Sequence, residues 1–470
     1  MSLPPNAIVD GLLGLVGADA VIADPGRMGA YLNEPRKRFH QTAVAVVLPH
    51  SVVEVQALAR WANENRVGLI PQGGNTGLVG AQVPVSGREI IVSLAHLDAV
   101  REIDAAAGHM TVDAGLVLQE AHRLAEAAGA IFPLWIASQG SARIGGVLSS
   151  NAGGVQVLAY GNARELCLGV EAVLADGRLY QGLNSLKKDN TGYDLKDLLI
   201  GAEGTLGIIT AATLKLFPKP DGYETAICNV ASPDAALAFF YAARTRLGSR
   251  LTAFEIVPAL GLDIQLRHKM LDRDPTAGSS PWYVLLEVNL QRGSEPGALQ
   301  SVLEAAFAHE TIQDAVVAES EADRTRMWSF REQMSECQSR EGASIKHDVS
   351  VPVARIPQLI AEGTNAVEKR VPGIRPCPFG HMGDGNIHFN FSQPVGADAK
   401  AFIACEEAVH EAIYEVVLRL GGSVSAEHGI GQLKSELLKQ VKDPVALAMM
   451  RSIKQALDPN GIMNPGKLFG

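Results

Sequence analysis

Cysteine is sparse in this chain: Cys167, Cys228, Cys337, Cys377 and Cys405 are the five present, far apart and with no CxxC pair. An odd, dispersed set excludes a disulfide framework and a zinc ribbon, and points to reduced, buried thiols in a cytoplasmic protein. Basic charge is short as well, with 41 Lys and Arg against 51 Asp and Glu for a formal net charge of −10. A nucleic-acid or anionic-membrane partner would need a dense Lys/Arg face to displace counterions, so neither is expected. If the substrate is an anion, positive charge must be gathered locally. Long hydrophobic runs are also missing: no stretch reaches the roughly 18 residues that would span a bilayer. The opening "MSLPPNAIVDGLLGLVG" has no basic flank and only a short, interrupted apolar run, so no signal peptide is expected. No GxGxxG leads from a first strand into a helix and no GxxxxGK[ST] occurs. The dinucleotide-binding Rossmann unit is therefore unsupported and the P-loop excluded.

What is present is enough to build several cores. A chain of 470 residues suggests two or three domains at about 100 to 200 residues each. With 47% apolar and 20% charged residues, each can bury an interior. The first readable unit is "AVAVVLPHSVVEVQALARWANENRVGLIPQGGNTG". It gives a β-prone run at 43–48, a capping box at Ser51 and Glu54, and helical spacing at Val55, Leu58, Ala59 and Ala62. A second, parallel strand at 67–70 then enters the glycine loop 71–77. Such a loop can turn backbone amides toward an anion or cofactor, although an unliganded turn reads equally well from this segment alone. Two further small-residue clusters shift the balance, "ASQGSARIGGVLSSNAGGVQVLAYG" at 137–161 and "GAEGTLGIIT" at 201–210. Together they imply a long, flat ligand threaded between backbone segments where a Cβ would collide.

After "LKLFPKPDG" at 214–222 the glycine clusters stop, and Pro218 and Pro220 mark a boundary. The expected organisation is an N-terminal helical segment at 1–40, a ligand-binding domain at 41–220, an α+β domain at 221–420 and a C-terminal segment at 421–470.

Polar chemistry concentrates in three later segments. In "GHMGDGNIHFN", residues 380–390, the Gly-Asp-Gly-Asn turn lets His381 and His388 face one pocket, and Asn390 shares the face of His388. Two converging imidazoles are a metal half-site for zinc or manganese. Glu427 of "GGSVSAEHGIG", residues 421–431, is the candidate third ligand, with His428 turned toward substrate. A single histidine would read as an ordinary hydrogen-bonded residue; the cluster favours a site. In "MWSFREQMSECQSREGASIKHDVSVP", residues 327–352, Arg331 and Ser335 are i, i+4 on an expected helix and Lys346 lies on the following strand. Arg and Lys there suit a carboxylate, or else form a solvated charged face.

The motifs "PQGGNTGLVG", "SSNAGG", "SLKKDNTGYDLKDLLIGAEGTLGIIT", "GHMGDGNIHFN", "SVSAEHGIG" and "DPNGIMNPGK" resemble the vanillyl-alcohol-oxidase-type FAD-dependent family, most of all its D-2-hydroxyglutarate dehydrogenase branch, from about residue 40 onward. The resemblance implies an α+β fold: a PCMH-type FAD-binding domain of two subdomains, completed by the C-terminal tail, and a cap of antiparallel sheet flanked by helices. It implies non-covalent FAD, because Asn75 stands where relatives that attach flavin often carry a histidine. By position, Gly73, Gly74, Asn75, Thr76 and Gly77 would hold the pyrophosphate, and Pro71 would also contact the cofactor. Ser138, Gly140, Ser141, Gly145, Gly146, Asn151 and Gly153 would line the cofactor path, with Gly204, Ile209 and Asn464 at its ends. His381, His388 and Glu427 would bind a divalent metal, His428 would be the general base, and Asn390, Arg331, Ser335 and Lys346 would bind substrate.

The implied reaction is oxidation of a D-2-hydroxy acid, D-2-hydroxyglutarate foremost, to the 2-oxo acid: the metal polarises the hydroxyl, His428 takes its proton and hydride passes to flavin N5. D-lactate or D-malate oxidation shares these groups, and a glycolate-oxidase-type or non-catalytic electron-transfer flavoprotein subunit is the further alternative. Electron-transferring flavoprotein or a quinone is the implied acceptor, and a homodimer is compatible. Two positions depart from the branch: Ser335 replaces a usual threonine and His347 a common tyrosine, which bears on the grip at the distal carboxylate.

Overall fold

A computed structural model describes residues 3–276, 278–291, 293 and 297–470; Met1 and Ser2 of the expected N-terminal segment lie outside the described residues. The chain divides into two units, one made of 3–153, 161–219 and 427–470, the other of 154–160 and 220–426.

Among the described residues the first unit holds a two-stranded ribbon that pairs Ala130–Ile131 with Phe217–Pro218, and two main sheets. In the smaller, strands Ala45–Val47 and Leu69–Gln72 both run parallel to Ile90–Ser93, which lies between them, and Val21–Ile22 adds an antiparallel edge. Two expectations change here. The strand expected at 67–70 is displaced to Leu69–Gln72, and its parallel partner comes from later in the chain, not from 43–48. The N-terminal segment is also not purely helical, because Val21–Ile22 pairs into the sheet. Helix Val52–Asn65 forms as its pattern dictates. Ser51 Oγ accepts from Glu54 N, and Val55, Leu58, Ala59 and Ala62 make its buried face. The return arm of the capping box reaches one residue further, Glu54 Oε2 accepting from His50 N at 2.8 Å. The larger sheet is antiparallel, in the order Val100–Asp104, His109–Asp113, Ile208–Lys215, Cys167–Val173, Leu179–Gln181. The C-terminal segment closes the first sheet: Leu69 N donates to Ile462 O, and Asn464 N to Leu69 O, both at 2.8 Å.

The second unit is one eight-stranded antiparallel sheet between helices. Seven strands run in the order Asp314–Val317, Gly222–Val230, Trp282–Leu290, Leu251–Pro258, Arg375–His381, Asn386–Ser392, Ser344–Ile345, and Val349–Ser350 also pairs with Asn386–Ser392. Alternation along each strand splits the core in two. Phe254, Ile256, Ile387, Phe389 and Phe391 pack with Phe239 and Phe240 of helix Pro233–Leu247 and with Leu359 and Ile413 of the helices Ile356–Arg370 and Glu406–Arg419. Ala253, Val257, Cys377 and Phe379 face the other way, onto Leu262, Met327, Phe330 and Met334. The polar residues of 380–390 belong to that second face. Four cysteines are buried and Cys405 half-buried; all five are free thiols. No helix among the described residues is long and apolar enough to cross a membrane.

Candidate active site

In the first unit the glycine clusters press against one another. A Cβ on Gly74 would overlap the Ser141 carbonyl oxygen, and one on Gly73 would stand 3.4 Å from Gly146 Cα. Behind them, a Cβ on Gly145 would come within 2.8 Å of Ala114 Cβ and 3.5 Å of Ile209 O. Gly204, at φ +73°, lies against Pro71. Asn75 and Asn464 take left-handed φ values of 55° and 45°. Asn75 Nδ2 holds the 30–33 backbone through Ala30 O and Asn33 O, each at 3.0 Å, while its Oδ1 is buried without a hydrogen-bond partner among the described residues, as is Asn464 Oδ1. Ser141 and Gly140 are exposed and Ser138 half-buried. A backbone cradle that has no room for a side chain at Gly74 and Gly145, partly open and carrying orphaned acceptors, fits a long, flat, polar cofactor such as FAD. Pro71, Gly73, Gly74, Gly145, Gly146, Gly204, Ile209 and Asn464 are thus brought together. Asn151, at φ 51°, instead caps Arg164, accepting from its backbone N at 2.9 Å.

Glu203 organises the return segment. Its carboxylate accepts from Ile430 N and Gly431 N, both at 2.7 Å, and Asn464 Nδ2 donates to its carbonyl at 2.6 Å. Burial pushes its carboxyl up, against the pull of those two amides and of Lys467 and Lys434. A Cβ at Gly429 would touch Glu203 Oε1 at 2.6 Å, so glycine is needed there. Glu427 and His428 are the first residues of this segment in the unit. In the other unit the residue just before them, Ala426, donates its N–H to Asp348 O at 3.3 Å.

The second unit gathers the remaining candidates by strand register. Glu255 is the cross-strand partner of His381, and Phe379 that of His388; cross-strand partners share a face. The His381 and His388 rings stand 5.5 Å apart, edge to face. His381 Nδ1 lies 2.9 Å from Glu255 Oε1, and Arg331 Nε donates to Glu255 Oε2 at 2.6 Å. The Arg331 guanidinium lies over the Phe379 ring at 5.0 Å, and its Nη2 is buried without a hydrogen-bond partner among the described residues. Burial alone would raise the Glu255 carboxyl; the His381 and Arg331 charges and hydrogen bonds instead hold it down at about 2. Burial pushes Asp384, in the hairpin turn, up to about 6. Asp348 is buried, with Oδ1 4.0 Å from His388 Nδ1 and accepting from Asn386 Nδ2 at 3.0 Å. A carboxylate on Nδ1 of His381 orients Nε2 as the ligand-capable nitrogen, the usual support of a metal-binding histidine, so the donor set fits a divalent ion.

Three expectations need correction or addition. Arg331 and Ser335 do not share a helix. Helix Glu321–Glu332 stops at Gln333 and a separate helix, Met334–Arg340, begins, which leaves Arg331 buried and Ser335 exposed. Lys346 follows the short strand Ser344–Ile345 and donates to Ser335 O at 3.2 Å. The Asn390 amide engages the protein at both ends, accepting from His347 N at 3.3 Å and donating to Gln338 Oε1 at 2.8 Å. Glu255, Asp348 and Glu203 were not singled out from sequence. The one signal for Glu255 is a lone charge inside the apolar strand "LTAFEIVP".

Residues 43–182 match the FAD binding domain model, and residues 219–468 match the model for FAD linked oxidases, C-terminal domain. The chain is 36% identical over 446 residues to D-2-hydroxyglutarate dehydrogenase of Xanthomonas citri pv. viticola, covering 95% of this chain and 93% of that one. It is 34% identical to the enzyme of the same name from Stutzerimonas stutzeri, covering 98% and 99%. The mitochondrial protein of that name from Bos taurus is 37% identical, over 96% of this chain and 81% of that one. Among solved structures, p-cresol methylhydroxylase with substrate bound superposes with a TM-score of 0.79 at 17% identity, over 99% of this chain and 96% of that one. 4-Ethylphenol oxidase from Gulosibacter chungangensis does so with a TM-score of 0.73 at 18%, over 100% and 98%.

Proposed function

The chain belongs to the FAD-linked oxidase family and is an FAD-dependent dehydrogenase acting on a CH–OH donor; from that premise we propose that its donor is D-2-hydroxyglutarate and its product 2-oxoglutarate. The observation that carries this reading is the half-paired, buried guanidinium of Arg331, whose Nη2 has no partner among the described residues, beside the His381 and His388 pair. A donor of that kind suits one carboxylate of a small diacid, and an imidazole pair suits a metal that grips the other end.

His381 and His388, with Glu427 as third ligand, would hold the divalent ion, zinc foremost, and the glycine cradle of 73–77 and 138–146 would hold FAD. Bound, the metal supplies Lewis-acid polarisation of the hydroxyl and FAD supplies the electron sink. His428 accepts the proton from the C2 hydroxyl oxygen, Arg331 and Lys346 fix the carboxylates by charge, and Asn390 keeps the His347 backbone in place. A second reading, oxidation of D-lactate or D-malate, is favoured by the exposure of Ser335, which weakens one expected contact at the far end of a five-carbon acid. Electron-transferring flavoprotein is the proposed acceptor.

Anaerobic bleaching of the flavin by D- and L-2-hydroxy acids tests the assignment. D-2-hydroxyglutarate is expected to bleach at the highest second-order rate and its L-enantiomer not at all. A faster rate with D-lactate or D-malate selects the second reading, and a flavin bleached by none of them refutes both.

A further inference from the structure

We propose that Glu255 is a positioning residue that ties the metal-ligand histidine to the carboxylate-binding arginine, one buried carboxylate setting both the tautomer of His381 and the aim of Arg331. The inference rests on the reading above that His381 ligates a divalent ion and that Arg331 binds a substrate carboxylate.

The two oxygens of Glu255 serve different masters: Oε1 lies 2.9 Å from His381 Nδ1 and Oε2 accepts from Arg331 Nε at 2.6 Å. The side chain is 1% exposed and lies on the central strand Leu251–Pro258, so neither oxygen can be replaced by solvent. An ionised carboxylate only accepts, so His381 carries a proton on Nδ1, and in the neutral ring the lone pair then lies on Nε2, as a metal ligand requires. On the other side, anchoring Arg331 through Nε turns a terminal nitrogen, Nη2, into the donor left for an anion. The same sheet offers a contrast in Glu287, also buried. Its oxygens are occupied by Arg324 Nε and Nη2, Trp328 Nε1 and Thr225 Oγ1, a closed set that joins nothing to the metal or anion site.

The chemistry makes the proposal separable by one isosteric change. Glutamine has a single acceptor. If its oxygen stays with Arg331, its NH2 faces Nδ1 and forces the His381 proton onto Nε2, which cannot then bind metal. If its oxygen stays with His381, its NH2 opposes Arg331 Nε and the guanidinium loses its aim.

The experiment is chelator competition for zinc on the FAD-loaded protein, read alongside KM for D-2-hydroxyglutarate. Glu255→Gln is expected to weaken zinc binding about 10- to 100-fold or to raise KM by about 10- to 100-fold, the range for loss of a hydrogen bond to a charged group, with flavin content retained. Arg331→Lys keeps the charge beside Glu255 and is expected to raise KM with zinc affinity unchanged, a split that a merely structural role would not give. If His388→Ala loses zinc while Glu255→Gln binds zinc and substrate as wild type does, this inference falls and the functional reading stands. If the wild-type protein itself binds no zinc, the functional reading falls and takes this one with it. Should Glu255→Gln not accumulate as a flavoprotein, Glu255→Asp is read in the same assays: one methylene shorter, it cannot reach both partners, and unchanged zinc affinity and KM would overturn the proposal.

Discussion

Glu203→Gln is the sharpest test of how His428, the proposed general base, is held. The wild-type carboxylate accepts from Ile430 N and Gly431 N, each at 2.7 Å, two and three residues beyond His428. Glutamine keeps one acceptor and turns an NH2 toward the other amide, so one hydrogen bond to a charged group is lost, about 1.5–3 kcal/mol. The global cost is smaller, about 1 kcal/mol, because removing a buried charge relieves the desolvation that raises the Glu203 pKa. The raised value also fixes the sign with pH. Acid protonates this carboxyl sooner than an exposed glutamate, adding to global stability while weakening the clamp. The loss should therefore appear locally: amide exchange at Ile430 and Gly431 about 10- to 100-fold faster, and kcat lowered within the same range, with flavin absorbance intact. Wild-type protection at both amides together with wild-type kcat would refute the reasoning.

Gly74→Ala drives a methyl into the Ser141 carbonyl oxygen, so purified protein should carry less FAD per chain by absorbance and be destabilised by at least the roughly 1–3 kcal/mol typical of overpacking. His428→Ala should lower kcat by about 10² to 10⁴ with FAD content unchanged, measured by anaerobic flavin reduction. Burial brings the Lys467 pKa down to about 8 from an ordinary 10.5, against the pull of Glu89 and Glu203. The fold therefore prefers the neutral amine, and the penalty is full below about 8 and fades as pH rises to 10.5. Urea midpoints should show wild type gaining on Lys467→Met across that window, by at most about 3 kcal/mol, since each tenfold change in proton affinity is worth about 1.4 kcal/mol; a flat difference refutes the sign.

Local periodicity was readable wherever one element decides its own burial. Helix Val52–Asn65 and the hairpin turn at 383–386 both follow from spacing and punctuation. The break at Gln333 was not readable, because no glycine or proline marks it and the residue itself keeps helical torsions, φ −74° and ψ −3°. The insertion of Ile90–Ser93 between the first two core strands is a long-range choice that local pattern does not carry. Of the candidate site, His381, His388 and Asn390 were visible because polar residues crowd a short glycine-flanked segment. Glu255 was not, since Glu287 shows the same lone charge in an apolar strand and meets a different end. Only tertiary partners distinguish the two.

The first sheet is finished by Ile462, Met463 and Asn464 lying along Leu69, which is nearly four hundred residues upstream. During synthesis the chain lays down one nucleotide-cofactor lobe, then an entire second lobe, and only then the strip that completes the first. At about 5 to 20 residues per second, the early lobe, laid down by residue 219, waits with an unclosed edge for roughly 10 to 50 seconds. A fragment ending near residue 219 would emerge without its closing strip, its open edge prone to stick to its own kind.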